Sequence, residues 1–201
     1  MKHIIILSFL AFIYFSYGQY RYGTTSANFL EIGTSSRAVS MGEAFVSLAD
    51  DVNSAYWNPA GLAFVNGLEL GVSSQDWVVG ITHSTFAAAI DMGSYGTLST
   101  WFTDFDYGST EVTNILNQNG TGEYFNANEL AASISYGRNL VEWFAFGASI
   151  KAISSNIWHS TARAVALDLG VIVKTKFFSK TDDRENGMNI GMSISNYGSK
   201  M

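Results

Sequence analysis

Alternation between bulky apolar residues and small or weakly polar ones is the feature that most constrains the fold of this chain. Side chains of a β-strand point in turn to its two faces, so a period of two predicts strands with one bulky and one small face. The four clearest runs cover 130–137, 144–152, 164–173 and 188–195. Weaker alternation gives three more candidates over 67–76, 78–91 and 97–106. Seven strands are therefore predicted.

The small face carries few charges, which favours a membrane barrel over a soluble sandwich. A sandwich strand pairs its buried apolar face with a strongly charged one. Here only lone charges such as Lys151 and Asp168 interrupt the small face. Charged residues make up 14% of the chain, against about 25% in ordinary soluble domains. We therefore predict an all-β fold, an antiparallel transmembrane β-barrel with its bulky face towards lipid. A soluble secreted β-sandwich is the alternative.

The segments between the strands fit the same prediction. Residues 93–96 and 138–142 have the composition of tight hairpin turns, whereas 107–128 and 175–187 are longer and polar. Short and long connections thus alternate, as in barrels with short turns at one end and long loops at the other. The tryptophans fall near predicted strand ends or turns and indicate an aromatic girdle. They are Trp57, Trp77, Trp101, Trp143 and Trp158.

The first residues predict export. Lys2 and His3 precede an apolar run over 4–17, and small residues follow up to Gly18. This is the layout of a cleaved signal peptide over 1–18. A membrane-anchor helix is the alternative, but the run is shorter than the roughly 20 residues that a spanning helix needs. The expected location is the outer membrane. A net charge of −6 without a basic cluster argues against a nucleic-acid partner.

No pattern in the chain indicates catalysis, a metal site or a cofactor. The histidines His3, His83 and His159 are far apart, and neither Asp50-Asp51 nor Asp182-Asp183 has the spacing of a calcium loop. Glycine-rich phosphate loops and nucleophile motifs are missing from the sequence, and it has no cysteine. The prediction is a protein that is not an enzyme.

The region before the strands carries the most distinctive motif. Residues 36–51 read SRAVSMGEAFVSLADD, and residues 56–63 read YWNPAGLA with the only proline of the chain. Together they resemble the N-terminal signature of the PorV/PorQ family, outer-membrane proteins related to the FadL long-chain fatty-acid transporters. Residues 162–170 (ARAVALDLG) and 194–201 (ISNYGSKM) resemble later family segments in the same order and spacing.

The resemblance implies a FadL-like, 14-stranded barrel with an N-terminal plug, here expected over 19–66 with barrel strands over 67–201. Several family members serve type IX secretion and escort cargo proteins at the outer membrane. Secretion-system subunits, cargo proteins and outer-membrane lipid are the partners this implies. The alternative is a FadL-like channel for hydrophobic small molecules. Because seven strands make half of such a barrel, we expect an N-terminal fragment of a longer protein, with a short chain closing by dimerisation as the alternative.

The resemblance also singles out plug residues with a structural or gating role. Short polar side chains suit a plug, because they can satisfy nearby backbone groups. The guanidinium of Arg37 could clamp one of the two aspartates through paired hydrogen bonds. Separately, Lys151 and Asp168 could pair inside the barrel or could be two unrelated interior charges. The matching positions are Arg37, Met41, Gly42, Ala49, Asp50, Asp51, Asn58, Pro59 and Ala60.

Overall fold

A computed structural model describes residues 26–201 and contains one seven-stranded antiparallel sheet. Each strand pairs with its neighbours in chain order. The predicted signal peptide, 1–18, lies outside the described residues, as does the start of the predicted plug. The strands are β1 (Leu68–Asp76), β2 (Thr82–Asp91), β3 (Thr97–Glu111), β4 (Tyr124–Val141), β5 (Phe144–Ile157), β6 (Ser160–Lys174) and β7 (Asn189–Gly198).

The predicted all-β fold and its seven strands are confirmed, but β3 and β4 are longer than their apolar patterns. They stay paired out to Glu111 and Tyr124, after a β-bulge between Asp106 and Ser109. The connection therefore shrinks from the predicted 107–128 to 112–123. The predicted turn 138–142 is also too long, because β4 continues to Val141. Polar residues can form these extensions because neither face of the extended part is buried, so no alternation of apolar residues is needed there.

The predicted alternation of short and long connections is wrong. The connections at one end of the sheet, which we call the Trp77 end, are 77–81, 112–123 and 158–159. Those at the other end, the Trp143 end, are 92–96, 142–143 and 175–188. Each end therefore carries one long loop. The prediction failed because the tight turn 158–159 comes directly after the tight turn 142–143, so two short connections follow one another.

The two faces of the sheet have the polarity of a barrel wall. Large apolar side chains occupy the exposed face, where Ile150 is 62% exposed and Ile134 is 65% exposed. Small and polar residues such as Gly147 and Ser135 occupy the opposite face and are buried. A soluble domain would bury the bulky face instead. The buried small face is covered by residues 26–67, which we call the N-terminal segment.

Short helices and turns make up the N-terminal segment. Its helices are the 3₁₀ helix Asn28–Glu31, α1 (Ser36–Ser40), α2 (Ser54–Trp57) and the 3₁₀ helix Pro59–Phe64. Helix α1 ends at Ser40, because Gly42 and Glu43 adopt φ values of 65° and 64°. Among residues 26–201 no helix has both the length and the apolar character needed to cross a bilayer.

The core lies between the N-terminal segment and the sheet. Phe29, Val52 and Leu62 of the segment belong to the same buried cluster as Trp101 and Phe105 of β3. The girdle prediction is therefore wrong for Trp101, which is 1% exposed and contacts the Tyr56 ring at 5.4 Å between centroids. It is also wrong for Trp57, which packs on Phe45 within the segment. Exposed tryptophans at turns are Trp77, Trp143 and Trp158.

The sheet is open between its first and last strands. Each of β1 and β7 has a single neighbour, β2 and β6 respectively, and the two edge strands do not pair with each other. An open sheet with an exposed apolar face is consistent with part of a barrel wall.

A charge on the exposed face tests its contact with lipid. Substituting Ile150→Arg should lower the free energy of unfolding in lipid vesicles by about 2–4 kcal/mol, because an arginine near the bilayer midplane loses its hydration. Urea titration of the reconstituted protein measures this. Thr161→Arg, on the same face at the Trp77 end, should cost about 0–1 kcal/mol. If the face met water, both exposed substitutions would stay within about 0.5 kcal/mol.

Candidate functional site

The turn at Asn58 anchors the N-terminal segment to the sheet. Asn58 is fully buried and caps the 3₁₀ helix Pro59–Phe64, its Oδ1 accepting from the Ala60 N–H at 3.1 Å. Its Nδ2 donates to the carbonyl oxygens of Val46 (2.8 Å) and Val171 (3.3 Å). Pro59 occupies the first helical position, where the missing N–H costs nothing. One amide thus joins its own helix, a distant turn of the segment and strand β6.

Three glycines form the surface on which this turn rests. Gly137, Gly147 and Gly170 pair across β4, β5 and β6 and make one row. We call this the glycine row. A Cβ on Gly137 would lie 2.6 Å from the Pro59 carbonyl oxygen, and one on Gly147 would overlap the same peptide group. A Cβ on Gly170 would overlap the Asn58 side chain. Only glycine lets the two backbones approach this closely.

Two more hydrogen bonds fix the segment to the sheet. The Glu69 carboxylate on β1 accepts from the Val52 N–H at 2.9 Å. Asn139, at the end of β4, donates to the Ala63 carbonyl oxygen at 3.0 Å. Together with Asn58, these contacts hold the segment to strands β1, β4 and β6. They give partners to one N–H and one carbonyl oxygen of the irregular backbone of the segment.

Tyr56 and Trp57 hold the segment to itself. The Tyr56 hydroxyl donates to the Leu30 and Ile32 carbonyl oxygens at 2.9 and 3.1 Å. Burial raises the pKa of this hydroxyl well above its ordinary value, so that it remains a donor. The Trp57 Nε1 donates to the Thr34 carbonyl oxygen at 3.1 Å. These bonds join the first and last parts of the segment.

Arg37 lies with both aspartates of the motif. Its guanidinium contacts the Asp50 carboxylate at 2.5 and 3.4 Å and Asp51 Oδ2 at 3.3 Å. The hydrogen bond to Asp50 raises the pKa of Arg37. Because the Arg37 and Asp50 side chains are about half exposed, the pair is expected to contribute only about 0–1 kcal/mol. Asp51 Oδ1 also accepts from the Asn53 N–H at 2.8 Å, which begins the turn into α2.

The remaining motif residues are distributed over the segment. Ala60 is fully buried beside Ala145 and Ile172, next to the glycine row. Ala49 packs with Phe45 within the segment. Met41 is 37% exposed, and the space around the α-carbon of Gly42 is open. The motif therefore divides into a buried part at the sheet and an exposed part around α1.

Lys151 and Asp168 lie together on the buried face, and both side chains are 1% exposed. The Lys151 Nζ is 3.0 Å from Asp168 Oδ2 and donates to Asn196 Oδ1 at 2.7 Å. Asp168 Oδ1 accepts from the Asn196 N–H at 2.6 Å. Asn196 has φ 58°, and the pairing of β6 with β7 shifts between Leu167 and Leu169. The ion pair thus stabilises the irregular backbone of β7 at Asn196.

The described residues offer no arrangement for metal binding, since no group of three metal-ligating side chains occurs among residues 26–201. His83 is buried between Gln75 and Thr103, whose polar atoms lie 3.0 and 2.9 Å from its two ring nitrogens. This is a satisfied interior histidine. What the site can do is hold a segment of irregular backbone against a sheet.

Several residues of this site were not singled out from the sequence. They are Gly137, Gly147, Gly170, Glu69, Asn139 and Asn196. A signal for the glycines existed, because Gly147 and Gly170 are equally distant from the turn 158–159 and so must pair across it. The sequence indicates this pairing of Gly147 with Gly170 only when 158–159 is recognised as the turn.

A side chain on the glycine row should loosen the N-terminal segment. Gly147→Leu forces its Cβ into the Pro59 peptide group, and overpacking of this kind costs about 1–3 kcal/mol. Because 1.4 kcal/mol corresponds to a factor of ten, tryptic cleavage after Arg37 should accelerate about tenfold. Ala148→Leu, on the opposite face of β5, is the matched control and should leave the rate unchanged. Equal rates for the two variants would show that the row does not hold the segment.

Removing one member of the buried ion pair should cost more than removing both. Lys151→Met leaves the Asp168 carboxylate buried without its cation, at a cost of about 3–5 kcal/mol. In Lys151→Met/Asp168→Leu no charge is left unpaired, so stability should recover in large part. Urea unfolding of the wild type, both single variants and the double variant in vesicles measures the coupling. Additive effects would contradict the expectation.

A comparison with individually curated proteins gave no match. The family model described as "Type IX secretion system protein PorV" matches residues 16–201, which include the whole N-terminal segment and all seven strands. The resemblance seen in the motif is thereby confirmed, and the chain belongs to the PorV family of type IX secretion system proteins.

Proposed function

We propose that this protein is an outer-membrane accessory of type IX secretion that escorts cargo proteins. Membership of the PorV family implies involvement in type IX secretion. The escort role, export by a signal peptide over 1–18 and the use of the N-terminal segment as a barrel plug are parts of the proposal. On this view secretion-system subunits, cargo proteins and outer-membrane lipid are its partners. The protein would act by binding, not by catalysis.

The observation that carries the proposal is the division of the sheet into two faces. The exposed face is bulky and apolar, as a lipid contact requires. The opposite face is small and polar and is covered by a segment that contacts the glycine row through its backbone. These two features support a membrane wall whose interior is filled by the N-terminal segment. Such a wall fits a protein that acts by binding partners better than it fits an open pore.

A channel for hydrophobic small molecules is the weaker candidate. Such a channel needs an apolar cavity beside the N-terminal segment. Two cavities border the start of the segment, one of about 200 Å³ against β5–β7 and one of about 350 Å³ against β3–β6, which lie below and at the lower end of the roughly 300–1,000 Å³ usual for small-molecule sites. The smaller one mixes Leu30 and Ile153 with the polar residues Asn28, Glu31 and Asn196. Small cavities with polar lining give the channel less support than the escort role draws from the family.

Deleting the gene in the bacterium that carries it tests the escort role. Cargo of the type IX system should accumulate in the periplasm and fall at least tenfold at the cell surface, measured by fractionation and immunoblotting. The full-length wild-type gene should restore export. Gly147→Leu should restore it less well than the control Ala148→Leu.

Two outcomes separate the candidates. If export is unchanged by the deletion while uptake of a radiolabelled long-chain fatty acid falls, the channel replaces the escort as the proposed function. If both are unchanged, neither function holds.

A further inference from the structure

The exposed face carries a shallow groove between β3 and β6. Its floor is formed by Ala132 and Ala152, which pair across β4 and β5. Phe102 and Val165 flank this pair in the same row, and both are exposed. The groove has a volume of about 330 Å³. Because alanine is short, the floor lies below the neighbouring side chains and can hold part of an alkyl chain through dispersion contacts.

One end of the groove is polar. Arg163 lines it and pairs with Ser154 across β6 and β5. Arg163 is exposed, and no carboxylate among residues 26–201 lies within 4.0 Å of its guanidinium. Apart from these two residues, the lining consists of alanine, leucine, isoleucine, valine and phenylalanine. The groove therefore places an apolar floor directly beside an unpaired cation.

The strand registers place Arg163 at the level of lipid headgroups. The five exposed-face residues of β5 from Phe144 to Ala152, and their partners on β6, are all apolar. At about 3.4 Å per residue they cover about 27 Å of strand, which at a tilt of about 40° fills most of the roughly 25 Å apolar band of an outer-membrane barrel. Arg163 belongs to the next row, and Trp158 lies exposed in the turn beyond it, as expected at the interface.

The rim of the sheet at the Trp77 end is divided by charge. The carboxylates of Asp76, Asp104 and Asp106 lie on the exposed face of β1–β3. At this end the exposed face of the seven strands carries one cation, Arg163 on β6. Asp104 and Arg163 share a row, but two strands lie between them. An anion that reaches the rim is therefore repelled from β1–β3 and attracted to β6, beside the groove.

We infer that this groove binds a membrane lipid with a phosphate headgroup, with the phosphate on Arg163 and one acyl chain over Ala132 and Ala152. A guanidinium matches a phosphate through two parallel hydrogen bonds. The Ser154 hydroxyl lies across from Arg163 and can donate one more. The inference rests on the proposed membrane location and gives the proposed lipid partner a defined site.

The apolar floor identifies lipid, and not free phosphate, as the source of the anion. A free phosphate would be held by Arg163 alone and would gain nothing from the alanine pair. An alkyl chain in the groove gains contacts with Phe102 and Val165, while its headgroup stays in the hydrated layer with the arginine. The two halves of the site thus fit the two halves of one lipid molecule.

Native mass spectrometry of the full-length protein in detergent tests the inference. Phosphatidylglycerol is added in steps, and the fraction of protein that keeps one bound lipid gives the dissociation constant. Arg163→Gln should weaken binding about tenfold, through the loss of a charge-assisted hydrogen bond. The matched control is Arg138→Gln, which removes an arginine from the exposed face at the Trp143 end and should leave the constant unchanged.

A second pair of variants tests the apolar floor. Ala152→Phe fills the groove and should weaken binding by a similar factor. Ala148→Phe, on the same face of β5 but outside the groove, should not change it. Diacylglycerol, which has the chains without the phosphate, should bind the wild type about tenfold more weakly than phosphatidylglycerol.

Three results would overturn the inference. They are equal constants for the wild type and Arg163→Gln, an equal loss in Arg163→Gln and Arg138→Gln, and displacement of the lipid by inorganic phosphate at the same concentration. All variants are compared as the folded barrel, identified by its heat-sensitive migration in gels. These readouts do not involve cargo export, so a failed escort role would leave them unchanged, whereas a protein that stays in solution without detergent would refute the membrane location itself.

Discussion

The backbone of Pro59 reaches the backbone of the sheet only because Gly137, Gly147 and Gly170 form one row beneath it. Any side chain in that row would lift the segment and pull Asn58 away from Val171. The Val171 carbonyl oxygen would then lose the Asn58 amide, and an unmade buried hydrogen bond costs about 1–3 kcal/mol. The packing of Leu62 and Val52 in the core depends on the same approach.

Covering the small face is what allows the bulky face to be exposed. The segment takes most of the small face out of contact with solvent, and its backbone also bonds the Glu69 carboxylate and the Asn139 amide. The apolar side chains are left on the outside, where water would oppose them and lipid would not. Fold and location are thus connected: a sheet with this polarity is stable only where its exposed face meets hydrocarbon or another protein.

Alternation was sufficient to predict the seven strands, since the period of two is a local property of each one. The position of a residue along its strand, by contrast, depends on how that strand pairs with its neighbours. Trp101 was expected near an end, yet its register with Ala87 and Ser133 places it under Tyr56. The glycine row likewise depends on pairing across two turns. The resemblance identified Asn58 and Arg37 from sequence, and the aspartates were already considered as partners of Arg37. The Val171 partner of Asn58 lies 113 residues further along the chain and follows only from the tertiary structure.

The two faces of the sheet differ in how they hold charge. On the buried face, Asp168 has Lys151 at 3.0 Å and the Asn196 N–H at 2.6 Å, so the protein itself compensates the charge. A buried charge is stable only when it is paired. On the exposed face, the strand pairing puts Asp104 and Arg163 in one row towards the Trp77 end, next to the last apolar row. The interior charge is thus compensated within the chain, whereas these exposed charges lie where the apolar band ends.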